Sequence, residues 1–257
     1  MKRGFLLGSC LLAMVAAAWP AAAAQYNWTG FYVGLNAGGA SGSSDVDTST
    51  VFSPVGYFAS TSVTSINGNG NGSLSSGGFT GGGQGGFNWQ TGNFVLGLET
   101  DLGYLGLSDS RTVGPVVYPC CSPTTYSFKQ SVKTDNLFTV RPRFGWAANN
   151  WLFYLTGGLA VTSMKTSFDF NDTFAAAHAN GSKTSIQPGW TAGGGVEFGL
   201  GSHWTLRAEY LFAQFNSVSL TSSNLTAFGV VPFPANTFRH KGDLESHIGR
   251  IAVNFRF

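Results

Sequence analysis

The chain closes on Arg250-Ile-Ala-Val-Asn-Phe-Arg-Phe257, and the alternation in these eight residues runs into the terminal carboxylate. Ile251, Val253, Phe255 and Phe257 fall on one face of an extended strand, and Arg250, Ala252, Asn254 and Arg256 on the other. Chain ends ordinarily fray and are polar. A terminus built as a strand with a bare aromatic at its last position implies that the final strand has a partner waiting for it.

Seven further segments show the same period: 30–40, 77–89, 94–107, 136–146, 151–162, 189–200 and 204–215. No segment shows helical periodicity of useful length. Three connections are tight and carry turn residues, at 90–93, 147–150 and 201–203. The other four, 41–76, 108–135, 163–188 and 216–245, are long and rich in Ser, Thr, Asn and Gly. Long and short connections alternate strictly. Compact soluble domains seldom hold four long connections, whereas an outer-membrane barrel places short turns at the periplasmic end and long loops outside. Closing the sheet on itself also pairs every backbone group that lipid leaves without water. The sequence therefore predicts an all-β, eight-stranded antiparallel transmembrane β-barrel with both termini periplasmic and the last strand pairing with the first.

The two strand faces differ sharply. One carries Phe31, Val33, Leu35, Phe79, Phe87, Trp89, Phe94, Leu96, Leu98, Leu102, Phe138, Val140, Phe144, Trp146, Phe153, Leu155, Leu159, Trp190, Val196, Phe198, Leu206, Tyr210 and Phe212, with no charge among them. The other carries Glu99, Asp101, Arg141, Arg143, Glu197, Arg207, Glu209, Arg250 and Arg256, with Asn36, Gln84, Tyr154 and many glycines. A Lys or Arg at the bilayer midplane costs about 2–4 kcal/mol, so the charge-free face is assigned to lipid and the charged face to the lumen, where opposite signs pair. A soluble lipocalin-like barrel shares the alternation. Trp28, Trp89, Trp146, Trp151 and Trp204 at the strand ends, read as an interfacial girdle, and the Gly-loaded polar face favour the membrane version.

Residues 1–24 follow a different logic. Lys2 and Arg3 precede an apolar stretch from Phe5 to Ala18, then Pro20 and small residues at Ala22 and Ala24. This is the pattern of a secretory signal peptide, with 25–257 as the mature barrel; a retained anchor helix is the competing reading, and Cys10 lies too early for a lipoprotein site. Without Lys2 and Arg3 the 14 basic residues become 12, against 12 acidic. That neutral balance leaves no basic stripe for nucleic acid, and no later apolar run has the length of a membrane helix.

Local motifs are few. Gly81, Gly83 and Gly86 satisfy a dinucleotide fingerprint on paper, but a turn follows them instead of a helix; in a barrel strand, glycine makes room for large lumen side chains. Residues 67–72, Asn-Gly three times, read as turn chemistry at a loop tip. Cys120-Cys121 is compatible with a vicinal disulfide, an interchain bridge or free thiols. His178, His240 and His247 fall in or beside the external loops and are the candidates for a haem or metal ligand, without ligand spacing to mark them. No Ser/His/carboxylate motif indicates an enzyme, and no catalytic, cofactor or metal residue is assigned.

The segments 27–40, 82–104, 141–147, 153–161, 189–200, 204–212 and 250–257 together resemble the outer-membrane immunogenic protein family of small porin-like barrels, related in architecture to OmpA and OmpX. The resemblance covers the strands and none of the loops. It implies a Gram-negative outer-membrane location, surface exposure, a porin-like or structural envelope role, and, for some relatives, haem binding through the loops. It also implies that the C-terminal strand ending at Phe257 is what the barrel assembly machinery recognises. Outer-membrane lipid is the other expected partner, and the barrel is expected to be a monomer.

Overall fold

The computed structural model describes residues 26–257, so the signal-peptide reading of 1–24 lies outside the described residues. Eight strands form a closed ring: β1 (Gly30–Thr50), β2 (Gly72–Thr91), β3 (Phe94–Leu105), β6 (Leu137–Ala148), β7 (Trp151–Asp172), β8 (His178–Leu200), β9 (Trp204–Ser222) and β12 (Phe238–Arg256). Four more strands belong to the long connections: β4 (Ser108–Val117), β5 (Thr125–Thr134), β10 (Thr226–Ala227) and β11 (Val231–Pro232). All pairings are antiparallel. The seam joins β12 to β1 from Tyr32 opposite Arg256 to Thr50 opposite Phe238. It continues past the strand itself, since the Phe257 amide donates to Phe31 O at 3.0 Å; on the other edge of β12 the Arg256 amide donates to His203 O at 2.7 Å. The aromatic terminus is ordered because it completes this seam.

The alternation places the residues as the sequence predicts. Phe31, Leu35, Phe79, Leu98, Leu102, Leu155 and Ile251 point outward and are exposed. On β3 this apolar belt runs from Phe94 to Tyr104; ten residues at about 3.3 Å rise and a tilt of ~40° span about 25 Å, the height of a barrel's lipid face. Trp89, Trp146, Trp151 and Trp204 stand outward at its periplasmic edge. Trp28 is a correction: it is buried, packed on Tyr26 with ring centroids 4.6 Å apart and tilted at 54°, and its amide is bonded to Gln90 Oε1 at 2.7 Å. It lies before the first strand, so the pairing that fixes the outward residues does not reach it, and it turns in to cover the periplasmic mouth with Tyr26, Val95, Ala147, Leu152 and Tyr154.

The long connections differ most from a reading of them as loops. β7 runs 13 residues beyond Leu159, about 40 Å of strand at ~3.3 Å per residue. The β8–β9 pairing stops at Gly189 opposite Phe215, and β3–β6 stops at Gly103 opposite Leu137. Above those points the wall parts into two facing sheets, β9-β12-β1-β2 and β8-β7-β5-β4. Their inward residues change from polar to apolar: Val46, Leu74, Val218 and Leu244 from one sheet meet Val132 and Met164 from the other. A second correction is the helix α1 (Ser60–Gly70), which buries Val63 and Ile66 against the top of this sandwich. Residues 67–70, read as a turn, form its last turn. Gly70 is required there, since a Cβ would lie 1.9 Å from Thr48 O.

Candidate functional site

The lumen holds the densest chemistry in the molecule. Because β3, β6, β8, β9 and β12 run alternately up and down, their inward charges fall into two layers. The layer nearer the cell surface contains Asp101, Arg141, Glu209 and Arg250. Arg141 Nη2 lies 2.7 Å from Asp101 and Nη1 3.3 Å from Glu209, while Arg250 Nη2 lies 2.6 Å from Asp101 and 2.5 Å from Glu209. The four groups close a ring in which cations and anions alternate. The layer nearer the periplasm repeats the arrangement with Glu99, Arg143, Glu197 and Arg207: Arg143 is 3.4 Å from Glu99 and 2.9 Å from Glu197, and Arg207 is 2.6 and 3.1 Å from the same two. Arg141 joins the layers through Glu99 at 2.7 Å. Each ring is electrically neutral, and all eight side chains are buried.

The other strands reach this network through neutral groups. From β1, Tyr32 donates to Glu99 at 2.5 Å and accepts from Arg143 at 2.7 Å. Asn36 donates to Gln84 of β2 at 2.7 Å, Gln84 to Asn254 of β12 at 2.6 Å, and Asn254 to Glu197 at 2.8 Å. From β7, Tyr154 donates to Glu209 at 2.7 Å, and the Arg143 guanidinium lies 3.9 Å over its ring. All eight ring strands thus share one polar network. Glycine makes the space for it, as expected: a Cβ on Gly86 would sit 2.5 Å from the Tyr32 hydroxyl, and one on Gly195 2.6 Å from that of Tyr154. Gly81, Gly83 and Gly86 lie within β2, with no helix after them. Arg256, also assigned to the lumen, sits at the periplasmic mouth, over Tyr26 at 4.5 Å and bonded to Ser202 O at 3.1 Å.

Apolar layers stand on either side of the rings. Tyr26 and Trp28 cover the periplasmic side. Leu105, Leu137, Leu211, Phe215 and Ile248 cover the other, and above them lies the aromatic core of the sandwich, Phe58, Tyr126, Phe128, Phe168, Phe170 and Phe238. The space beside Arg250, Asp101 and Leu137 and the space beside His240 and Gln130 amount to about 10 Å³ each, room for one water at most. A larger recess of about 500 Å³ opens on the outer wall among Asp45, Asp47, Asn71 and Lys241.

The three histidines do not converge. His178 is at the β7–β8 turn, bonded to Asn171 at 3.0 Å. His247 points outward on β12, with Tyr210 Oη at 2.6 Å. His240 points inward on the same strand, stacked on Phe168 at 3.6 Å with Thr48 Oγ1 at 2.8 Å. Among the described residues no group of three or more His, Cys, Asp or Glu is arranged to hold a metal. Cys120 and Cys121 form a vicinal disulfide in the β4–β5 turn, and Cys120 Sγ meets Ser62 of α1 at 3.4 Å. Asp172, a residue the sequence did not single out, ties the loops together: it accepts from Tyr57 at 2.6 Å, Tyr118 at 3.0 Å and the amides of Ala175 and Ala177 at 3.3 and 2.8 Å. Burial and then this carboxylate hold the Tyr57 phenol well above its usual range.

A family model described as "Outer membrane protein beta-barrel domain" matches residues 9–257. The 31 kDa outer-membrane immunogenic protein of Brucella melitensis is 31% identical over 234 residues, 90% of this chain and 85% of that protein. The 22 kDa outer membrane protein of Rhizobium leguminosarum bv. viciae is 36% identical over 132 residues, 51% of this chain and 50% of that one. Among solved structures, the attachment invasion locus protein of Yersinia pestis aligns over 89% of this chain and 99% of that one, with 12% identity and a TM-score of 0.36.

Two outcomes follow from this geometry. Arg141→Met removes the one guanidinium shared by both rings and leaves Glu99, Asp101 and Glu209 undercompensated; the expected cost is about 3–5 kcal/mol, read from the urea midpoint of the micelle-folded protein at unchanged slope. His240, above the lipid belt, is held neutral by burial with its pKa pushed down to about 3; Thr48, Gln130, Phe168 and Phe238 surround it, and the cross-strand pair Asp47 and Lys241 faces outward. The unfolded state binds a proton near pH 6.5 and the folded state does not, so stability falls as pH drops from about 6.5 toward 3. Amide exchange in 166–170 and 238–240 should accelerate over that window, and His240→Phe should flatten the dependence.

Proposed function

The chain belongs to the outer membrane protein β-barrel family, and we propose that it serves the outer membrane as a closed anchor that holds a folded domain on the cell surface, and not as a diffusion pore. The observation that carries this reading is the filled lumen. Two neutral ion-paired rings lie between an aromatic layer on the periplasmic side and an apolar layer on the outer side, and the space beside Asp101 and Arg250 holds one water at most. A solute would have to break charge pairs whose removal from one another in a buried site is costly. Two further features support the display role. The strands carry on well past the lipid belt into a packed sandwich, and relatives matched over 85% and 82% of their own length are named outer-membrane immunogenic proteins.

The reading has the mature chain begin at residue 25, insert as a monomer, and be received by the assembly machinery through the strand that ends at Phe257. It assigns the barrel no catalytic step. The His178, His240 and His247 positions give a haem-binding alternative no shared site to rest on.

Planar-bilayer recording of the refolded protein tests it. Lipid-inserted protein, verified by its heat-modifiable migration, should give no stepwise conductance. Reproducible single-channel steps from the wild-type barrel would overturn the closed reading.

A further inference from the structure

The formal charges of the outer half are distributed in tiers. Above the lumen rings, Asp45, Asp47, Lys129, Lys133, Lys165, Lys183, Arg239 and Lys241 are exposed on the flanks of the sandwich, with Asp169 and Asp243 half-buried among them. The turns that cap the sandwich carry no charge: residues 50–71, 112–128, 173–182 and 222–238 contain no Asp, Glu, Lys or Arg. At the base of these turns stands Asp172, which is buried and already accepts four hydrogen bonds.

At the distal end three separate turns bring apolar side chains out into water. Val55 is 79% exposed, Phe228 61% and Val230 85%, with Val51, Phe52 and Phe174 beside them. Rings from all three turns meet: Tyr57 lies 6.1 Å from Phe174 and 6.4 Å from Phe228, and Phe174 lies 6.5 Å from Phe228. Phe228 is costly there twice over. It is a bulky aromatic in water, and its φ of 50° is a left-handed conformation suited to Asn or Gly. The Phe228 amide is nonetheless pinned to Ala175 O at 2.9 Å, so the ring is held out in a fixed place.

We propose that this crown docks on an opposing phospholipid bilayer with zwitterionic headgroups, inserting Phe52, Phe174, Phe228 and Val230 into its interfacial layer. Protein interfaces ordinarily carry a polar rim. These turns offer no charged group to pair. Aromatic and branched aliphatic side chains without charge match the interfacial zone of a neutral membrane. The crown faces away from the barrel's own bilayer, so the lipid it meets belongs to another membrane. The inference stands whether or not the barrel conducts.

The test uses the full mature chain in nanodiscs, mixed with phosphatidylcholine vesicles and floated on a density gradient, with empty nanodiscs as the control. Protein-bearing discs should float with the vesicles, and equally at about 0.1 and 1 M NaCl, between which the Debye length falls from about 10 to about 3 Å. Phe174→Asp and Val230→Asp, in separate turns, should each weaken vesicle partitioning by about tenfold or more. Phe228→Asn, which suits the left-handed backbone, should weaken it with heat-modifiable migration intact. Failure of the wild type to float, a requirement for anionic lipid, or unchanged flotation of all three variants would overturn the proposal. Pairing of discs without vesicles, abolished by the same substitutions, would overturn it in favour of a second copy as the occupant.

Discussion

The structure depends on one constraint: charge placed inside a barrel must be neutralised there. Lipid outside the wall accepts none of it, and Glu99, Asp101, Arg141, Arg143, Glu197, Arg207, Glu209 and Arg250 are all buried. The chain meets the constraint with two alternating rings, each with two guanidiniums and two carboxylates. A buried ion pair is weak evidence for net stability, because desolvation offsets the attraction. Its firmer consequence is register. A slip of one residue on β3, β6, β8, β9 or β12 would send its charges to the lipid face and its apolar residues into the rings. The neutral links through Tyr32, Asn36, Gln84, Tyr154 and Asn254 extend that demand to every strand of the ring.

Past the lipid belt the same strands obey the opposite rule. With water outside, inward positions become Val46, Leu74, Met164 and Val218, and outward positions become Asp45, Asp47, Lys165 and Lys241. The ring can then part into two sheets, since a sandwich with an apolar core needs no closure in water. One continuous set of strands therefore builds a membrane barrel below and a soluble sandwich above. The change in inward chemistry marks the boundary between them.

The transmembrane part was legible because lipid imposes a strict period of two over long runs. Each of the eight ring charges, Glu99, Asp101, Arg141, Arg143, Glu197, Arg207, Glu209 and Arg250, could be assigned to a face from sequence alone, as could the seam at Phe257. The outer part was not, for physical reasons that differ by element. Ser41–Thr50 and Thr162–Asp172 alternate, but with Ser, Thr and Gly at several inward positions as well as outward ones, a weaker contrast that also suits a loop. The helix at 60–70 has two apolar residues that it buries, Val63 and Ile66, among Ser, Thr, Asn and Gly, so packing forms it against its own propensities. Trp28 precedes the first paired residue, where no alternation applies. The vicinal disulfide was one of three options open to Cys120-Cys121, and the role of Asp172 rests on donors from three different loops that no spacing in the chain announces.

The claim that the lumen rings act as coupled units is tested most directly by a double-mutant cycle across the outer ring. Asp101→Asn, Arg250→Gln and the double variant would be compared with the wild type by urea unfolding in micelles. The account predicts that the double variant is less destabilised than the sum of the two singles, by about 0.5–3 kcal/mol. Additivity within about 0.3–0.5 kcal/mol would show that the two groups act independently and would contradict it.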